Sequence, residues 1–248
     1  MQKLLRLVRL DFSMILREEM LWFMLFVVPA LQFSAALLLL PWLEEQFPVM
    51  AEYHLLIVML MTLQVVTSIG FVLASMLLDE RDEEVLTALR AMPVGVNAFL
   101  FYRLGIGTVM AVLFACAMLS TPGPEGLGWA SRLTAAALFA SAAPITTLAL
   151  ATLSSNKVEG LAVYKGISLI LILPAGSFFI DSWVQYALGI VPVYWTLHFL
   201  ENALSGKPAI AELVRALLTV EAADGQTISG YTSSPSRSAF PPPLQNHH

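Results

Sequence analysis

Five apolar runs, at 20–43, 54–78, 98–120, 133–154 and 161–183, constrain this chain more than any other feature. Each is near or above the ~20 residues a helix needs to cross a hydrocarbon core ~30 Å thick. With water excluded from that core, a spanning segment has to satisfy its own backbone N–H and C=O groups. Continuous apolar runs do so as α-helices, and the alternating pattern of a membrane β-barrel is missing. Composition agrees. Hydrophobic residues make up 58% of the chain and charged ones 12%, against roughly 25% charged in a soluble domain; the mean hydropathy is +0.76. The expected fold class is all-α, a polytopic helical membrane protein with five clear transmembrane helices.

The basic residues set the orientation. Lys3, Arg6, Arg9 and Arg17 precede the first run, Arg81, Arg90 and Arg103 lie around the second connection, and Lys157 and Lys165 flank the fourth. The first and third connections, 44–53 and 121–132, hold Arg132 as their one basic residue. The positive-inside rule therefore predicts a multi-pass protein of the inner (cytoplasmic) membrane with its N-terminus in the cytoplasm. A net charge of −5 with no basic groove gives no reason to expect nucleic acid as a partner. Residues 2–19 carry Leu4, Leu5, Val8, Phe12, Ile15 and Leu16 on one helical face and Lys3, Arg6, Ser13 and Arg17 on the other. That amphipathicity suits an elbow helix lying in the lipid interface; a cytosolic helix packed on a partner is the plainer reading.

Within the spans, Pro29, Pro144 and Pro174 each remove an amide donor and are expected to kink their helices. Thr62, Gln64, Thr67, Ser68, Ser141, Thr146 and Thr147 concentrate in the second and fourth spans, where helix packing is favoured over substrate contact. Gly105 and Gly107 read as small-residue packing, and Cys116 as packing too. Arg103 and Lys165 are close enough to span ends to snorkel. Asp181 marks the outer water interface. Beyond the fifth run, 184–200 reads as interfacial or re-entrant, with Tyr186, Tyr194 and Trp195 as an aromatic belt. Residues 209–220 are too short and too charged to cross alone. From Glu221 the chain turns to Gly, Ser, Thr and Pro, the composition of a disordered tail.

The densest charge cluster is 78–93, Leu-Asp-Glu-Arg-Asp-Glu-Glu-Val-Leu-Thr-Ala-Leu-Arg-Ala-Met-Pro. Acidic residues at its start and Pro93 with Gly95 at its end predict a short cytoplasmic helix. Glu80, Glu83, Thr87 and Arg90 share one face of it and Val85, Leu86, Leu89 and Met92 the other. Such a helix either meets a soluble partner or is an ordinary solvated connection. Nothing in the sequence suggests chemistry of its own. There is no phosphate-binding loop, no His-Glu-x-x-His and no intramembrane carboxylate pair, and His54 and His198 lack metal-ligand spacing. An intramembrane hydrolase is disfavoured for the same reason.

Three segments together resemble the type 2 permease subunits of ATP-binding-cassette (ABC) exporters, especially the fluoroquinolone-type export permeases. Residues 77–90, followed by Met92 and Pro93, look like that family's cytoplasmic Glu-Arg segment. Asn156 through Lys165 looks like its second cytoplasmic signature, and Pro192-Val193-Tyr194-Trp195 like its outer Pro-x-Tyr-Trp. The resemblance covers about residues 1–205. It implies an elbow helix, six spans and a helix between spans two and three that couples to an ATPase. Carried over, Asp79, Glu80, Arg81, Asp82, Glu83, Glu84 and Arg90 belong to the ATPase-coupling segment, and Asn156, Lys157 and Glu159 to the second cytoplasmic loop. No residue is catalytic, the substrate-binding residues are unassigned, and no metal or cofactor is held by the chain; ATP and Mg belong to the partner ATPase subunit. A second permease subunit, identical or different, completes the exporter, which moves a hydrophobic or amphipathic substrate outward. The main alternative is a membrane anchor that recruits a soluble partner without transport. The chain departs from the family at Glu84, where Gly is frequent, and in its sixth span, expected to be incomplete or missing. The permease domain is accordingly expected over 1–220, with 221–248 a tail foreign to it.

Overall fold

The computed structural model describes residues 13–82, 96–121, 127–179 and 183–205 and positions 214, 218 and 219; the side chains of 82, 96–98 and 183–186 fall outside that description. Among the described residues there are helices and turns and no strand, and five helices are long and apolar enough to cross a membrane. They are α1 (Glu19–Gln46), α2 (Pro48–Arg81), α3 (Phe99–Met118), α4 (Trp129–Leu153) and α5 (Lys157–Phe179). A helical turn series Trp183–Ile190 and a final helix α6 (Pro192–Leu204) follow. The chain is a multi-pass membrane protein. Residues such as Leu38, Leu113, Leu133, Leu169 and Phe179 lie on its outer surface, where lipid takes the place that water would refuse them.

The central element is α2, with 72% of its apolar stretch buried, against 22% for α1 and 28% for α5. Its tightest crossing is with α4, at Gly70. A Cβ there would lie 2.7 Å from the Ala143 carbonyl oxygen and 2.9 Å from Thr146 Cβ. The hydroxyl of Thr147 donates across the crossing to the Gly70 carbonyl at 3.0 Å. Small residues thus let two backbones approach and a polar side chain ties them, the usual logic of helix association in lipid. The α2–α5 seam works similarly: Gln64 Nε2 donates to the Tyr164 hydroxyl at 3.1 Å, Thr67 lies 3.4 Å from the same oxygen, and the Phe71 and Tyr164 rings meet at 5.0 Å. Of the clustered polar residues, Gln64, Thr67 and Thr147 thus reach across to a neighbouring helix, while the hydroxyls of Thr62, Ser68 and Ser141 donate to carbonyls of their own helix. Gly107 abuts Leu73 across the α2–α3 contact, while Gly105 has nothing within 4 Å of an added Cβ; packing accounts for Gly107 alone. Cys116 is partly buried against the main apolar core.

Each predicted proline kink takes its own form. In α1 the turn before Pro29 is π-helical over Phe23–Val27, and the Val28 amide reaches back to the Phe23 carbonyl. Pro41 repeats the arrangement after a π-helical turn at Ala35–Leu39, with the Leu40 amide on the Ala35 carbonyl. A wider turn makes room for the ring and for the carbonyl it leaves without a donor. In α4 the helix breaks at Ser141, three residues before Pro144. In α5 the α-helix ends at Ile172 and Pro174 sits in a tighter 3-10 segment, Leu173–Phe179.

Some expectations are corrected. The α-helix of α2 runs without interruption from His54 to Asp82, so Asp79–Asp82 end the second span instead of starting a separate helix. Its 29 residues rise about 44 Å, more than the ~30 Å core, which carries the charged last turn beyond the apolar layer. Tyr194 is not in an aromatic belt. It is 1% exposed, its ring edge-on to Trp195 and His198, because α6 folds back against α4 and buries Val193, Leu197 and Leu200. Trp195 Nε1 donates to the Gly189 carbonyl at 2.8 Å and closes the turn before α6. Residues 13–17 are helical and Glu18 is extended before α1 begins, so a break separates the amphipathic segment from the first span. The rest of the expected elbow helix, Asp181, most of 209–220 and the tail lie outside the described residues.

Candidate functional site

The last turn of α2 and the first turn of α5 meet at one end of the bundle, and the predicted site residues that are described gather there. Asn156 is the N-cap of α5: its side-chain oxygen accepts from the Glu159 amide at 2.9 Å, and Glu159 Oε2 accepts from the Ser155 amide at 2.8 Å. This reciprocal arrangement satisfies the Glu159 amide, which a helix start leaves without a partner, and the Ser155 amide just ahead of the cap. It also explains why the helix begins at Lys157, ahead of the apolar run. Asn156→Ala is expected to lower thermal stability by about 1 kcal/mol, read as a downward shift of the melting curve in detergent.

Lys157, the first residue of α5, spans two neighbours. Its ammonium contacts the Glu18 carboxylate ahead of α1 and lies 2.7 Å from Asp79 Oδ2 on α2. Arg81 turns to α4, where its guanidinium donates to the carbonyls of Ala151 at 3.2 Å, Ser154 at 2.7 Å and Ser155 at 3.1 Å. Carbonyls at a helix C-terminus have no intrahelical donor and sit at the negative end of the dipole, so a cation there is doubly suited. Glu80 faces inward. Its Oε2 is 2.5 Å from Arg103 Nη1, and Arg103 is 2% exposed with its guanidinium 5.0 Å from the Phe99 ring centre. Arg103 therefore does not snorkel, and Glu80 is not on a solvent face; Lys165 is exposed. The α-helix is described as far as the backbone of Asp82, while the Asp82 side chain and Glu83, Glu84 and Arg90 are outside the described residues.

Sequence reasoning missed Glu18 and Arg103 as members of this cluster. The available signal was an isolated Arg inside an otherwise apolar run, which needs a carboxylate partner more than it needs a path to water. The cluster ties the ends of several helices together. It holds no nucleophile beside a base, and among the described residues no three His, Cys, Asp or Glu side chains are grouped to hold a metal ion.

The sequence model of one family, described as "Fluoroquinolones export permease protein Rv2686c-like", matches residues 11–223. Two curated relatives come from Mycobacterium tuberculosis: "Fluoroquinolones export permease protein MT2760" of strain CDC 1551 / Oshkosh and "Fluoroquinolones export permease protein Rv2686c" of strain ATCC 25618 / H37Rv. Each is 29% identical over 180 residues, which cover 69% of this chain and 71% of the relative. No solved structure matches the chain.

Proposed function

As the chain belongs to the Rv2686c-like fluoroquinolone export permease family, we propose that it is the membrane-spanning subunit of an ATP-driven drug exporter. The family match across 11–223 carries this reading. The sequence has no phosphate-binding loop, so ATP hydrolysis is assigned to a separate ABC ATPase subunit with its own ATP and Mg. A second permease subunit completes the assembly. The permease domain takes in residues 1–220, and the end bearing Asp79, Arg81 and Lys157 faces the cytoplasm, as the basic residues around the second and fourth connections require.

The ATPase-facing surface is assigned to the connection after α2, through Glu83, Glu84 and Arg90. Asp79, Glu80 and Arg81 are engaged within the bundle, so their part in coupling is to hold α2 to its neighbours. Reversing Glu83 and Glu84 to Lys together is expected to reduce the ATPase subunit recovered with the affinity-purified permease at least about tenfold, on the scale of close interfacial charge pairs. The permease itself should remain in the membrane at wild-type amount. Undiminished recovery of the ATPase would remove these residues from the coupling surface.

A further inference from the structure

A pocket of about 400 Å³ opens beside the start of α1, lined by Leu16, Glu19, Trp22 and Phe23. Glu18 is extended between the helical residues 13–17 and α1, so Leu16 lines the pocket from ahead of the break. Glu19, Trp22 and Phe23, at spacings of three and four, share one face of α1. Leu16, Trp22 and Phe23 are each about half exposed, and the volume is in the range of pockets that take drug-sized molecules.

The acid sets this pocket apart from an ordinary lipid-facing crevice. Glu18 is taken by Lys157, whereas among the described residues the Glu19 carboxylate has no ion-pair or hydrogen-bond partner. We propose that the pocket receives amphiphilic drugs that carry a protonated amine, taken from the cytoplasmic leaflet: the ammonium pairs with Glu19 and the apolar body lies against Leu16, Trp22 and Phe23. The inference rests on the exporter reading and adds to it the substrate class and the point of capture. The rings suit both halves of such a molecule, since an aromatic face attracts a cation and packs against an apolar ring. An anionic amphiphile would be repelled by Glu19, and a bare divalent ion would find one carboxylate among apolar walls where it needs several oxygen ligands.

The test measures binding to the purified full chain in an uncharged maltoside detergent. The probes are a fluoroquinolone with a free piperazine amine and its N-acetyl analogue, in which that nitrogen is neutral; uptake by empty micelles is subtracted. Wild type should bind the amine form about fivefold tighter than the acetylated one, the scale of one partly exposed charge pair. Glu19→Gln should abolish that preference, and Trp22→Ala should weaken both forms about tenfold. Glu19 also suits the positive end of the α1 dipole, but a loss of that role changes the amount of folded protein and leaves the preference for the amine intact. The inference is overturned by a Glu19→Gln protein that keeps the preference, by a wild type that binds both forms alike, or by a Trp22→Ala protein that binds as wild type does. Phosphatidylethanolamine added to the micelles should leave drug affinity as it was; a fall in wild type that Glu19→Gln does not share assigns the pocket to the lipid amine and overturns its role in drug capture. Transport is read separately. A complete wild-type exporter that moves no fluoroquinolone, with the binding pattern intact, overturns the exporter reading and leaves the pocket a binding site alone, whereas transport without the binding pattern overturns the pocket and leaves the exporter.

Discussion

Glu80→Lys should markedly reduce the amount of folded protein. The substitution leaves Arg103, 2% exposed, without its carboxylate and sets a second cation at the position 2.5 Å away. Breaking a buried pair by removing one partner costs about 3–5 kcal/mol, a large share of the 5–15 kcal/mol that typically holds a domain together. The measurement is the monodisperse fraction of detergent-extracted permease on size exclusion. It should fall clearly below wild type for Glu80→Lys and recover when Arg103→Glu is added, since the pair is then restored in reverse. A Glu80→Lys protein as monodisperse as wild type would show that Glu80 faces water.

Gly70→Ala should be more damaging than the same change at Gly107 or Gly105, although a methyl group is all that it adds. That methyl carbon would lie 2.7 Å from the Ala143 carbonyl oxygen and 3.3 Å from its Cα. Both atoms are backbone and cannot swing aside, so α2 and α4 must separate, stretching the Thr147 hydrogen bond to the Gly70 carbonyl. Overpacking of this kind costs about 1–3 kcal/mol. At Gly107 the obstacle is the Leu73 side chain, which has other rotamers, and at Gly105 there is no obstacle within 4 Å. Melting temperatures in detergent should therefore rank Gly70→Ala lowest, Gly107→Ala above it and Gly105→Ala nearest wild type. A Gly70→Ala protein that melts with wild type would contradict the close crossing.

The two variants mark the border between what the sequence discloses and what it conceals. Spans are legible because lipid imposes a one-dimensional condition, a long enough apolar run, and all five runs became spanning helices. Their ends are less so. The α2 helix outlasts its apolar run because nothing before Asp82 breaks a helix, and α5 starts early because Asn156 and Glu159 cap it. Prolines announce that a helix will deviate, yet it widens to a π turn in α1, breaks in α4 and tightens in α5. The charged cluster misled for a related reason. On a wheel Glu80 falls on a polar face, and polarity normally means water; here its partner is Arg103, delivered by a different span. Tyr194 is the same case in apolar form, an aromatic expected at the interface and buried by the return of α6. Glu83, Glu84 and Arg90, on which the proposed docking surface depends, are read from sequence alone.

The decisive experiment is ATP-driven drug movement by the permease with its ATPase. Inside-out membrane vesicles containing both subunits are given a fluoroquinolone, with ATP or a non-hydrolysable analogue. With ATP the drug should accumulate inside the vesicles against its gradient, and with the analogue it should only equilibrate. Vesicles in which the bound ATPase hydrolyses ATP while the drug distributes identically in both conditions would contradict the assignment of this chain as the drug-conducting subunit.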